Sequence, residues 1–303
     1  MEPIVSIVMP TFNRMEFLPA TVESVRAQSI QQWELVIADD GSDPNTVDYL
    51  ANLRRDERIR LLRLPHSGNA GTARNAAIAA ARASWLAFLD SDDLWQPNKL
   101  ERQLAALRAE PECAWSYTAF VMVDTEGAPL PSERSRTWVP HTGDIFTQTV
   151  RTTASIRPSG VLASTALVRA VGAFDEAIDC SEDYDLWLRL ALRSPVCVVD
   201  EPLISVRRHS SNPRRPAGAP HLARDYSLRK LEGQLAGAQR ELLVEERSRN
   251  ALGLAAAFSA HGERWRSVTT VCKSLPLGWS YPHWWYGAGK TLVRAGFRTQ
   301  RAH

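Results

Sequence analysis

The chain has 303 residues, 44% of them apolar and 23% charged, a composition that excludes a disordered or fibrous protein. That length accommodates one large α/β domain with an appendage, or two modest domains. A formal net charge of +2 argues against a dedicated nucleic-acid binder.

The first hundred residues alternate predicted strands and helices. Val5 to Met9 is a short apolar run closed by Pro10, and Leu18, Val22 and Val25 then recur at helical spacing, with Pro19 tolerated in a first helical turn. Leu35 to Ala38 is a second strand, ended by Asp39-Asp40-Gly41-Ser42. Val47, Leu50 and Leu53 mark a helix, Ile59 to Leu64 a strand, Gly68 to Ala81 a loop and Ala-rich helix, and Trp85 to Leu89 a fourth strand. This alternation predicts a parallel sheet covered on both faces, whose ligands bind beyond the carboxyl ends of its strands. Ala114 to Val123 reads as a further strand, 124–155 as a long irregular stretch, and Glu182 to Leu192 as a helix with Leu186, Trp187 and Leu190 on its apolar face.

Residues 212–220, with three prolines, form the predicted linker. The expected division is a catalytic domain over 1–211 and a helical region over 221–303. There Leu228, Leu231, Leu235, Ala238 and Leu242 repeat at 3-4-3-4 spacing, which predicts one amphipathic helix, weakened by Gly233 and Gly237. Packing on its own domain and self-association as a homodimer both remain open for that stripe. Charge is uneven: residues 1–219 carry 23 basic and 28 acidic side chains, whereas 220–303 carry 13 and 6. Trp279, Tyr281, Trp284, Trp285 and Tyr286, followed by Lys290, Arg294 and Arg298, give an aromatic-basic tail suited either to an anionic membrane surface or to packing as a helical cap.

Cys113, Cys180, Cys197 and Cys272 show no zinc-ligand spacing, so a reducing compartment is expected. The opening Met-Glu-Pro runs straight into a strand without a secretory pattern, and Ala251 to Ala260 is too short an apolar run to span a bilayer. A cytoplasmic protein, soluble or peripheral at the inner face of the membrane, is the expectation.

The chemistry concentrates at Asp90-Ser91-Asp92-Asp93, where a buried strand ends in clustered carboxylates. Oxygen ligands of this kind suit Mg²⁺ or Mn²⁺, which commonly also bind a substrate phosphate. A capping turn is the alternative.

Five segments then occur in order: Val5 to Arg14 (VSIVMPTFNR), Trp33 to Ser42 (WELVIADDGS), Gly68 to Asn75 (GNAGTARN), Asp90 to Asp93 (DSDD) and Glu182 to Trp187 (EDYDLW). On these, over about residues 4–210, the chain resembles the family 2 glycosyltransferases of the GT-A fold. The resemblance implies an α/β fold with a Rossmann-like, mostly parallel sheet flanked by helices, followed here by a helical C-terminal extension. It implies a nucleotide-diphosphate sugar donor, a UDP-sugar first, held by Pro10, Thr11, Phe12 and Asn13, with Phe12 offering an aromatic face, Asp40 accepting from the base and Arg74 pairing with the diphosphate. Asp93 is expected as the direct ligand of Mn²⁺ or Mg²⁺, Asp92 as a ribose or metal ligand, Asp90 as support, and His209 as completing the metal shell or touching phosphate. Asp183 is expected as the catalytic base of an inverting reaction, with Glu182 orienting or capping. The segment Ala154 to Gly160 and the 124–155 loop are expected to shape the acceptor site, with Trp115 and Trp138 either stacking on sugar rings or lying in the core. The acceptor would be a hydroxyl of a glycan, a lipid-linked saccharide or a small molecule, in polysaccharide or glycoconjugate synthesis. Two rivals remain at this level. A nucleotidyltransferase would want a Gly-rich basic loop after the first strand, where Pro10-Thr11-Phe12-Asn13 stands; a non-catalytic sugar-nucleotide or glycan-binding module would not need both Asp93 and Asp183.

Overall fold

The computed structural model describes residues 2–130, 138–210 and 215–297. The chain forms two compact units, one comprising Met1–Asp179 with Leu186–Asn212, the other Cys180–Asp185 with Pro213–His303.

The first unit is built on an eight-stranded sheet. Its strands are β1 (Val5–Thr11), β2 (Trp33–Asp39), β3 (Ile59–Arg63), β4 (Trp85–Phe88), β5 (Leu94–Trp95), β6 (Trp115–Val123), β7 (Leu162–Ser164) and β8 (Val196–Arg207), in the order β3-β2-β1-β4-β7-β6-β8-β5. Its helices are α1 (Leu18–Arg26), α2 (Pro44–Leu53), α3 (Ala70–Ala80), α4 (Lys99–Ala109), α5 (Phe146–Val150), α6 (Thr165–Ala170) and most of α7 (Glu182–Ala191). The β3-β2-β1-β4 half is parallel throughout. β1 and β2 are buried at every position, which is why they read as unbroken apolar runs rather than as alternating ones. In the other half β7 runs antiparallel to β4 and β6, and β5 antiparallel to β8.

The parallel register sets Thr11 beside Asp39 and Val8 beside Phe88, so the carboxyl ends of β1, β2 and β4 share one rim. Two backbone features shape it. Gly41 has φ +80°, and a Cβ there would lie 3.0 Å from both Cβ and N of His66, so the turn after β2 demands glycine twice over. Asn13 has φ +51°, a conformation asparagine tolerates. Its N–H donates to Ser42 Oγ at 2.9 Å and its Oδ1 accepts from the Asp43 N–H at 2.8 Å, which ties the loops after β1 and β2 together. Asp43 also caps α2 through the Thr46 N–H.

At the opposite end of the sheet Glu34 is a buried anchor. Its carboxylate accepts from Ser6 Oγ (2.6 Å), the Arg82 N–H (2.8 Å) and Arg82 Nε (2.8 Å), with Arg60 Nη1 at 3.3 Å. Burial alone would raise its pKa, but the hydrogen bonds from Ser6 and Arg82 outweigh it and hold the carboxyl below the ordinary value. Stability from this group is therefore full above that ordinary value and is lost as pH falls through the lower, folded one. Urea unfolding followed between about pH 6 and pH 3 is expected to show that decline, and Glu34→Gln to flatten it while costing roughly 1–3 kcal/mol at neutral pH.

Trp115, left open between sugar stacking and the core, is core: it is fully buried and stacks on Trp187 at 6.2 Å. Trp138 packs edge-on against Tyr117 and Phe120, and its Nε1 donates to Asp200 at 2.7 Å. The stretch 124–155 is more ordered than its composition suggests. Gly143 and Val196 exchange backbone hydrogen bonds of 2.8 and 2.9 Å, and α5 buries Phe146 and Val150. Residues 131–137 of that stretch lie outside the described residues.

The second unit consists of the first turn of α7 with α8 (Ala219–Glu232), α9 (Gly237–Ala260), α10 (Arg264–Gly278) and α11 (Pro282–Phe297). The single helix expected across 228–242 is two. The chain breaks over 233–236, between α8 and α9, and Gly237, the first residue of α9, takes φ +55°, a conformation that a helix running through from α8 would exclude. The Leu228–Leu242 repeat is therefore no continuous stripe. Ala255, Val271, Trp284 and Ala288 form the core of α9, α10 and α11, and Trp284 Nε1 donates to Ser274 Oγ at 3.0 Å. The predicted 212–220 linker falls partly on 211–214, outside the described residues, and its last two positions belong to α8.

Candidate active site

The acidic segment after β4 is clamped from two sides. α1 presents Thr21 and Ser24, and the turn after it Gln28. The Thr21 hydroxyl lies 2.9 Å from the Asp93 carbonyl and 3.1 Å from that of Ser91, Ser24 Oγ accepts from the Trp95 N–H, and Gln28 Nε2 donates to the Gln96 carbonyl at 2.8 Å. From the other side β8, antiparallel to β5, brings in Arg207, whose N–H donates to Asp93 Oδ1 at 3.0 Å and whose Nη1 donates to the Asp92 carbonyl at 2.7 Å. A 3₁₀ turn, Pro158–Gly160, closes the clamp: Ser159 Oγ donates to Asp93 Oδ2 at 2.5 Å and lies 3.1 Å from the Asp90 N–H.

These contacts separate the acids. Asp93 is 4% exposed, and each of its carboxylate oxygens is engaged by a protein donor. Asp92 is the more accessible, and its Oδ2 lies 2.9 Å from His209 Nε2 and 3.7 Å from Arg14 Nε. His209 in turn packs on Phe17, ring centroids 4.5 Å apart, and Phe17 carries the Arg207 guanidinium on its ring. Asp90 Oδ1 accepts from Arg74 Nη2 at 2.6 Å, and Arg74 is 5% exposed. Burial first, then the neighbouring carboxylates, raises Asp92 above the usual carboxylate range and Asp93 well above it.

On the same rim Phe12 stacks on His66, 4.1 Å between ring centroids, while Pro10 and Thr11 are buried in the sheet and Asn13 is exposed in the turn described above. Asp40, expected to accept from a nucleobase, holds the loop before α3: its Oδ1 accepts from the Ser67 N–H and Oγ at 2.8 Å, and its Oδ2 from the Gly68 N–H at 2.9 Å. Asp39 Oδ1 accepts from the Ser42 N–H, shaping the turn as its sequence suggests. Asn69 caps α3 through the N–H groups of Gly71 and Thr72.

Asp183 lies in the first turn of α7, half-buried, its Oδ1 accepting from the Tyr184 N–H at 2.9 Å. Glu182 precedes it in that turn. Within the same unit Asp185 is buried against Lys230 Nζ at 2.7 Å, and the Arg224 guanidinium lies 5.7 Å from the Tyr184 ring centroid. Asp185 thus serves packing, and Asp183 is the more accessible of the two.

Residues 6–157 match the family described as Glycosyl transferase family 2. The chain belongs to glycosyl transferase family 2. Among curated relatives it is 40% identical over 130 residues to the putative teichuronic acid biosynthesis glycosyltransferase TuaG of Bacillus subtilis (strain 168), covering 43% of this chain and 51% of that protein. It is also 40% identical over 104 residues to the UDP-Glc:alpha-D-GlcNAc-diphosphoundecaprenol beta-1,3-glucosyltransferase WfgD of Escherichia coli, covering 34% of this chain and 41% of that one. The match spans about half the length of these relatives. Among solved structures, S. aureus TarS 1-349 in complex with UDP-GlcNAc matches with a TM-score of 0.74 at 17% identity, over 97% of this chain and 89% of that one. The family 2 chain therefore has the GT-A fold.

Arg14, Ser159 and Arg207 were not singled out by sequence reasoning. Arg14 is the last residue of the segment that spans β1, and Arg207 stands two residues before His209, so their proximity in sequence was the available signal. Nothing in Pro158-Ser159-Gly160 marks a buried serine that braces a carboxylate 66 residues away. Ser159→Ala is expected to cost about 1–3 kcal/mol in urea unfolding, because it leaves Asp93 Oδ2 short of a buried donor.

Proposed function

We propose that this family 2 chain transfers a sugar from a nucleotide-diphosphate donor, a UDP-sugar first, to a hydroxyl of a lipid-linked saccharide or glycan, with inversion. The observation that carries this is the pairing of Asp92 with His209 and Arg14 on the rim formed by the ends of β1, β2 and β4. WfgD is named for a UDP-Glc donor and a diphosphoundecaprenol-linked acceptor, and TarS was crystallised with UDP-GlcNAc, which supports the donor and acceptor classes.

Among the described residues no group of three or more His, Cys, Asp and Glu side chains could hold a metal ion alone. Asp92 and His209 nevertheless fit Mn²⁺ or Mg²⁺ as two ligands of a shell completed by donor phosphate and water, and a cation there would relieve the repulsion that desolvated Asp92 and Asp93 feel from each other and from Asp90. Such a cation would supply charge neutralisation of the departing diphosphate. Asp93 is proposed as the positioning residue behind Asp92 rather than as a direct ligand, since Ser159 and Arg207 already engage its oxygens.

The protein's own groups do the rest. Arg14 offers a guanidinium to phosphate oxygens, and Arg74 fixes Asp90 beside them. Phe12 with His66 forms an aromatic wall for the base, and Asp40 holds the loop that borders it. Asp183 takes the acceptor's hydroxyl proton. The alkoxide oxygen bonds to the anomeric carbon as the bond from that carbon to the phosphate oxygen breaks, and the nucleoside diphosphate leaves with the electron pair. One carboxylate suffices for a single displacement, hence inversion. The place of action is the inner face of the membrane, where a soluble donor meets a lipid-linked acceptor.

A thermal-shift screen of nucleoside diphosphates and their sugars with Mn²⁺ tests the donor. A rise in melting temperature for UDP and UDP-sugars is expected. Stabilisation without turnover of any nucleotide sugar would reduce the protein to a binding module, and no stabilisation by any nucleotide would remove the proposed donor site.

A further inference from the structure

The last forty residues, Arg264–His303, carry seven Lys or Arg side chains and no Asp or Glu. This acid-free stretch leaves four large aromatic side chains in solvent: Trp265 is 77% exposed, Trp279 65%, Trp285 57% and Tyr286 76%. That is unusual for indoles, which ordinarily bury most of their area.

The exposure is organised. α10 turns Ser267, Val271, Ser274 and Gly278 inward. Trp265 and Trp279 lie fourteen positions apart, four helical turns, and so share one face with exposed Leu275 between them, a span of about 21 Å. α11 buries Trp284 and Ala288 and turns Trp285, Tyr286 and Val293 outward. Trp285 Nε1 donates to the Trp279 carbonyl at 2.8 Å, which holds these two indoles together at the turn between the helices, with Trp265 at the far end of α10. Lys273 and Lys290 are exposed on the same two helices.

We infer that the outward face of α10 and α11 docks on the surface of an anionic lipid bilayer. Indole and phenol rings, apolar with one polar edge, favour the headgroup level, and Lys and Arg beside them are attracted to anionic lipids. Helices of 15 and 16 residues lie in that interface; among the described residues none is long and apolar enough to cross it. A second copy of the chain is the poorer occupant. A two-fold contact would set this basic stretch against itself, and the stretch has no carboxylate to pair with. The inference goes beyond sugar transfer and does not depend on it.

Flotation of the full chain with phosphatidylcholine vesicles, with and without phosphatidylglycerol, tests it. Binding to the anionic vesicles alone is expected, weakened by salt and accompanied by a blue shift of tryptophan emission. Trp265→Ser with Trp279→Ser and Tyr286→Ser is expected to lower partitioning by roughly a hundredfold. Lys273→Ala with Lys290→Ala is expected to lower it on the order of tenfold. Both variants should keep the wild-type melting curve and the wild-type rate of UDP release from a UDP-sugar in the absence of lipid, so that loss of docking and loss of donor chemistry read out separately. Absence of flotation with anionic vesicles, or undiminished flotation of the aromatic variant, overturns the inference. A lipid-free dimer that the aromatic variant abolishes assigns the face to a second copy instead.

Discussion

Asp92→Ala is expected to lower kcat/KM for UDP release from a UDP-sugar by about 10³-fold or more while leaving the fold standing. The expectation rests on how the two adjacent acids are held. Asp92 meets His209 and Arg14, both on the side proposed for phosphate, and its charge is opposed by Asp90. Removing it costs the proposed cation and diphosphate site its carboxylate but relieves like-charge repulsion, so the melting temperature should barely move. Asp93→Ala behaves differently. It strips buried Ser159 and the Arg207 N–H of their acceptor, at about 1–3 kcal/mol for each hydrogen bond left unmade, and so lowers the melting temperature along with the rate. Measuring kcat/KM against Mn²⁺ concentration and melting temperature for both variants separates ligand from brace. Full Mn²⁺-dependent turnover by Asp92→Ala would return the ligand role to Asp93.

From sequence, Asp93 is expected as the direct metal ligand and Asp92 as a ribose or metal ligand. The proposed direct role passes to Asp92 on account of hydrogen bonds to Asp93 that the sequence, for a physical reason, does not display. β1, β2 and β4 declare themselves because parallel strands buried on both faces are apolar throughout, and the polar groups at their ends therefore stand out as a shared rim. What distinguishes Asp92 from Asp93 is supplied from far along the chain. The Arg207 N–H is 114 residues from Asp93, and it arrives on a strand whose apolar run is broken by Asp200-Glu201-Pro202. That interruption coincides with the register shift in the β6–β8 ladder, where a proline and charges are tolerated, so β8 lacks the pattern of an ordinary strand. Asp40 shows the same limit. Its Asp-Asp-Gly-Ser turn was legible, and so was the segment that opens at Gly68, but nothing in either segment shows that the Asp40 carboxylate engages Ser67 and Gly68. The C-terminal misreading was local instead: apolar spacing ran on through Gly233 and Gly237, and the helix did not.

Asp183→Asn is expected to lower the transfer rate by about 10²–10⁴-fold, the span a general base contributes, with UDP affinity and melting temperature unchanged. Asparagine keeps the shape and the oxygen that accepts from the Tyr184 N–H. It cannot take the acceptor's proton. Asp185→Asn is the control two residues on. There the carboxylate is buried against Lys230, and removing its charge is expected to cost roughly 1–3 kcal/mol, discounted because Lys230 is partly exposed. One helical turn thus carries two acids with opposite expected outcomes, rate without stability at Asp183 and stability before rate at Asp185. Single-turnover transfer and urea unfolding of the two variants decide between base and cap: a normal transfer rate in Asp183→Asn, or a loss of stability equal to that of Asp185→Asn, would leave the family 2 chain with its proton acceptor elsewhere.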